Sequence, residues 1–149
     1  MAYNPNNPNG QATAANSAPV VLASNVTPPI SIAEAATGGA SVFRLVTAAG
    51  TNINQVKPTT GQAKVTGWYI YNASGAARTL RFFNVANPPA LPTAPYLTVP
   101  IPALSAANCP FPAGIDFSNG IYIATTTGTA DADQAAVAAG DLIINIFYK

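Results

Sequence analysis

The chain has 149 residues, with six Lys/Arg, five Asp/Glu and no histidine, while 49% of it is hydrophobic. Charged residues make up 7%, against about a quarter in an ordinary soluble domain. That balance argues against an enzyme, because nucleophile–base pairs normally use histidine and acid–base pairs need closely placed carboxylates.

The net charge of +1 gives no basic stripe for nucleic acid. It also protects poorly against self-association, which suits a subunit that lives in an assembly. One domain of this length buries roughly 70% of its unfolded surface, enough for a core without disulfide or metal.

Residues 1–19 hold five Asn, three Pro and one Gly, with Tyr3 the single aromatic, and no charge precedes Glu34. Alone, such a stretch cannot offset its ordering entropy by burial. It reads either as a frayed tail or as an extended N-terminal arm, residues 1–25, that orders on a neighbouring subunit through Val20-Val21-Leu22. The start lacks the Lys/Arg region of a signal peptide, and no apolar run approaches the roughly 18 residues of a membrane span. A chain made in the cytoplasm, with no membrane partner, is expected. The sequons at Asn25 and Asn72 are then chance matches.

From residue 40 onward the pattern has period two. Ser41–Thr47 alternates Val42, Arg44 and Val46 against Phe43 and Leu45, as a strand would. Lys64–Asn72 places Trp68 and Ile70 on one face and Val65, Tyr69 and Tyr71 on the other. Arg78–Val85 sets Leu80 and Phe82 against Arg81, Phe83 and Val85. The short Gly-containing link Asn72–Ala77 predicts that these two runs form a hairpin.

Six prolines fall within residues 88–102. Proline lacks the amide hydrogen a central strand needs, so Pro88–Pro95 reads as a stiff surface excursion. Tyr96–Ile101 reads as a strand interrupted or ended at Pro100 and Pro102. Phe111–Phe117 and Gly120–Thr126 supply further strands around the turn Ser118-Asn119-Gly120. Thr129–Ala139 is the one Ala-rich stretch that suits a helical turn, with Thr129 or Asp131 as N-cap.

The closing run, Asp141–Lys149, is apolar on both faces. Leu142, Ile144, Ile146 and Tyr148 point one way, Ile143 and Phe147 the other. Such a strand sits in the middle of a sandwich, or another subunit covers its second face. Short strands separated by Pro/Gly turns predict an all-β fold: a single jelly-roll-like β-sandwich over residues 26–149.

Candidate chemistry is sparse. Asp131 and Asp133 begin like a calcium loop, but the EF-hand pattern wants an oxygen ligand where Ala135 sits and glycine where Ala136 sits. A solvated loop is the plainer reading; a weak ion site completed by carbonyls stays open. No metal or other cofactor is expected. Gly38-Gly39 is a flexible joint, since no Lys-Ser/Thr follows it. Cys109 is the only cysteine, so no intrachain disulfide exists, and in the proline-held stretch Asn108-Cys-Pro-Phe-Pro112 it reads as a small buried hydrophobe. Trp68, Tyr69 and Tyr71 suggest a sugar-stacking platform, but alternation splits them across a strand. Trp68, Tyr71, Ile143 and Phe147 are therefore assigned to the core or to a subunit interface.

Several segments together resemble a virion module of tailed bacteriophages. They are Gly67-Trp-Tyr-Ile-Tyr-Asn72, Ala77-Arg-Thr-Leu-Arg-Phe-Phe-Asn84, Leu97-Thr-Val-Pro-Ile-Pro102, Phe111-Pro-Ala-Gly-Ile-Asp-Phe117 and Gly120-Ile-Tyr-Ile-Ala-Thr-Thr-Thr-Gly128. The opening Asn9–Ser24 and the close at Ala139-Gly-Asp-Leu142 share the likeness. It implies a small sandwich on a virus particle: a capsid decoration, or cement, protein on the capsid exterior. Its implied partners are the major capsid protein and two further copies in a homotrimer, with Tyr3, Val20, Val21 and Leu22 as capsid contacts. A receptor-binding module of a tail or head fibre is the alternative, holding host glycan with aromatics and the Pro88–Pro95 loop.

Overall fold

The computed structural model describes residues 39–149. Tyr3, Val20, Val21, Leu22 and residues 26–38 of the expected domain lie outside the described residues.

The strands are β1 (Ser41–Val46), β2 (Asn54–Gln55), β3 (Ala63–Asn72), β4 (Arg78–Asn84), β5 (Leu97–Ile101), β6 (Ala106–Phe117), β7 (Ile121–Thr126) and β8 (Leu142–Tyr148). No helix occurs among the described residues. The strands form two antiparallel four-stranded sheets, one in the order β1-β8-β3-β6 and the other β2-β7-β4-β5. Ladder partners include β1 with β8, β2 with β7, β3 with β6 and β4 with β5.

The period-two pattern explains the core. Every second residue of a strand faces the same way, and the inward positions are largely apolar in both sheets. Trp68 and Ile70 of β3 join Leu142, Ile144 and Ile146 of β8, and meet Leu80 and Phe82 of β4 and Ile121 and Ile123 of β7 in one buried cluster. Trp68 spans the two layers, its ring centroid 5.4 Å from Phe82 and 4.9 Å from Phe111. Burying each such side chain favours folding by about 1.5–3 kcal/mol.

The expected hairpin between the third and fourth strands does not form. β3 pairs with β6 and β8, whereas β4 pairs with β5 and β7, so the link between them crosses from sheet to sheet. Asn72 builds that corner. Its fully buried side chain donates to Ala76 O at 2.9 Å, Ile101 O at 3.1 Å and Pro102 O at 2.9 Å, and accepts from Ser74 N at 2.9 Å.

Val65 also departs from the expected alternation. It is completely buried in the core that holds Trp68, not on the face of Tyr69. The ladder to β8 advances from Val65–Tyr148 to Gly67–Phe147, so Thr66 is an extra residue, a β-bulge that inverts the alternation behind it.

The prolines lie on open edges. β5 and β6 end their sheets, and these strands carry Pro100 and Pro110 with Pro112, where a missing N–H costs no ladder bond. β6 therefore begins at Ala106, before the expected Phe111. The helical turn expected over Thr129–Ala139 is absent; these residues form turns and irregular backbone. Arg81, described below, holds their carbonyls in a non-helical arrangement.

Candidate docking face

The outer faces of the two sheets differ. That of the β2-β7-β4-β5 sheet is covered by the chain's own loops. Phe83 and Tyr122 of this face are 1% and 7% exposed and pack with Ala124, Val85 and Leu91 of the proline loop. Beside them the fully buried Arg81 guanidinium donates to carbonyls of the 128–133 segment: Asp133 at 2.7 Å, Asp131 at 3.1 Å, Gly128 at 3.5 Å, and Ala130. A buried cation must be compensated, and here the loop curls to supply the acceptors.

The same contacts account for Asp133. Its carboxylate accepts from the amides of Gly128 and of Ala135, the latter at 2.9 Å. Those bonds, the Ala135 amide first, hold its carboxyl below the ordinary value. The carboxylate thus closes a turn, and no group of three or more His, Cys, Asp or Glu able to hold a metal occurs among the described residues. At the loop's far end Asp141 accepts from Arg78 Nε at 2.6 Å and from Ala138 N at 2.9 Å, and Arg78 lowers its pKa as well.

No such cover lies on the β1-β8-β3-β6 sheet among the described residues. Beyond the exposed Lys64–Asp116 ion pair at one end, its register aligns outward residues of all four strands in three rows. The first row is Val42, Phe147, Gly67 and Pro110. The second is Arg44, Asn145, Tyr69 and Asn108. The third is Val46, Ile143, Tyr71 and Ala106. Val42 is 56% exposed, Val46 44%, Tyr69 46% and Phe147 36%. Arg44 is the only charged residue in the three rows, and none is a carboxylate. By strand spacing the face measures about 19 by 20 Å.

A shallow groove of about 540 Å³ opens on this face, bordered by Val42, Tyr69, Pro110 and Phe147 with Gly67 among them. Gly67 is dictated by the neighbouring strand. A Cβ there would stand 2.9 Å from Cys109 O and 3.2 Å from Pro110 Cα, both backbone atoms. The β3–β6 register is irregular here, passing from Val65–Ile115 to Gly67–Pro110, and glycine lets the two backbones meet beside the groove.

Of the four residues assigned to core or interface, Trp68 faces the core at 7% exposure, while Tyr71, Ile143 and Phe147 share the bare face. Trp68 is thus turned away from any surface platform. Cys109 is half-buried at the core's edge. Tyr96 is 55% exposed, its ring packed edge-on against Phe117 at 5.2 Å. Val42, Val46 and Tyr69 were not assigned from sequence, although the alternation in Ser41–Thr47 already set the two valines opposite Phe43 and Leu45. Arg81 carried a signal too, as a lone charge inside an apolar strand.

No helix among the described residues is long and apolar enough to cross a membrane. No protein-family model matches the chain, nor does any curated protein or any solved structure.

Proposed function

We propose that the chain is a non-enzymatic virion structural protein: a decoration protein that binds the major capsid protein from outside and bridges neighbouring subunits. One observation carries this reading. Among the described residues no loop covers the outer face of one sheet, which is apolar over three rows with Arg44 as their one charge and the Lys64–Asp116 pair beyond them, while the chain's own loops cover the other. Monomeric proteins rarely leave large apolar patches exposed without a partner for them.

The strand pairing supports a finer reading of the fold. Pairs β1–β8, β2–β7, β3–β6 and β4–β5 are those of one long hairpin rolled into two layers, the winding of a jelly-roll sandwich. A head packed with nucleic acid presses outward, and a rigid double layer with an adhesive face resists that load without reactive groups. The uncharged segment 1–25 is the second adhesive element of this proposal. The homotrimer rests on the resemblance alone.

The test uses particles assembled without this chain. Purified full-length protein should bind them and raise the temperature at which they release their nucleic acid, and a chain lacking residues 1–24 should fold but not bind. Saturable binding to a host glycan without any binding to heads would replace this reading with the receptor-binding one.

A further inference from the structure

We infer that the bare face of the β1-β8-β3-β6 sheet is self-complementary: a second copy packs on it face to face, with Phe147 of each copy seated over Gly67 of the other. This rests on the adhesive role proposed for that face and names what covers it in the free protein, the copy giving way to the capsid protein on the head.

The register supplies the argument. Consider a two-fold axis lying between the faces and running along the strands, between β8 and β3. It reverses strand order, so β1-β8-β3-β6 lies over β6-β3-β8-β1, and it leaves each row over its own counterpart. In the first row Phe147 then lies over glycine, and Val42 over Pro110. An exposed ring meets the groove, and the groove receives an exposed ring. In the third row Ile143 covers Tyr71 and Val46 covers Ala106, apolar on apolar throughout.

The polar row is matched as well. Arg44 comes over Asn108, whose amide oxygen is an acceptor, and Asn145 over Tyr69. The two Arg44 side chains stand at opposite margins, about three strand spacings or 14 Å apart sideways, so they do not repel closely. Two sheets packed face to face align within about 30°, which keeps these rows in reach.

Area sets the strength. A face of about 19 by 20 Å offers each copy roughly 400 Å² in plan, with side-chain relief adding to it. Stable interfaces bury about 800 Å² per partner. The pairing is therefore a reversible dimer that forms as concentration rises, not an obligate one.

Sedimentation velocity on the full chain from about 1 to 500 µM tests it. The protein should pass from one chain to two over this range. Phe147→Asp and Val42→Asp, each placing a carboxylate in the face, should weaken association about tenfold or more, as loss of an interface anchor does. Tyr96→Asp, at a residue 55% exposed beside the other sheet, where its amide donates to Phe82 O of β4, should leave it unchanged, and circular dichroism confirms that each variant is folded. A single chain at every concentration, a three-chain mass, or a dimer indifferent to both face variants overturns the pairing. Particle binding is scored separately: a dimer that ignores heads sinks only the capsid reading, and a monomer that binds heads sinks only this one.

Discussion

Phe147 of β8 lies directly opposite Gly67 of β3, so an exposed ring borders a position that has no side chain. The pair marks where the bulge, the close approach of β6 and the groove coincide. Local backbone crowding has thereby shaped the surface that we assign to adhesion.

Replacing that glycine should be costly for a backbone reason. In Gly67→Ala the new methyl meets Cys109 O and Pro110 Cα, and neither can swing aside as a side chain would. Overpacking of this kind costs about 1–3 kcal/mol. Gly75→Ala is the control, because nothing lies within 4 Å of a Cβ there. Urea denaturation should show a clear loss for the first and no loss for the second. Equal effects would mean that β6 does not crowd β3.

Arg81 fastens the 128–133 loop over the second sheet. Arg81→Met keeps the bulk and removes the donors, leaving acceptors at four carbonyls without their partner. An unmade hydrogen bond to a charged group costs about 1.5–3 kcal/mol. Hydrogen exchange should accelerate across residues 127–136 while the amides of β3 and β8 stay protected. Unchanged exchange in that loop would show that Arg81 does not hold it.

The acid limb of stability should run through two aspartates. Both Asp141 and Asp133 have folded-state pKa values lowered from 3.8, Asp141 mainly by Arg78 and Asp133 mainly by the Ala135 amide. A lowered folded value means that ionisation favours the fold. This contribution is complete above the unfolded value and is lost as pH falls through the folded one. Urea midpoints should hold steady from neutral pH to about 5 and drop below about 4. In Asp141→Asn the midpoint at neutral pH should be lower and the acid drop shallower. An identical acid slope in the variant would remove Asp141 from the account.

Much of the fold was legible because it is local. Alternation in Ser41–Thr47 and in the doubly apolar Asp141–Lys149 marked strands, and it set Trp68 apart from Tyr69. What failed depended on partners distant in the chain. A short glycine-containing link looks the same whether it turns a hairpin or a corner between layers; the difference lies in Asn72 reaching Ile101 and Pro102. Prolines signal the end of a strand, yet β5 and β6 pass through theirs because they are edges, and edge position is a property of the whole sheet. The bulge at Thr66, which sends Val65 inward, has no signature in residue type. The bare face itself was only half visible. Ile143 and Phe147 stood out on their own strand, but joining them to Val42, Tyr69 and Pro110 required the order of four strands spread over about a hundred residues.

Imaging this chain on intact particles tests the central claim most directly. The account predicts copies on the outside of the head, with Val42, Tyr69 and Phe147 buried against another protein chain. Particles without the chain, or copies bound there with those three residues open to solvent, would contradict it.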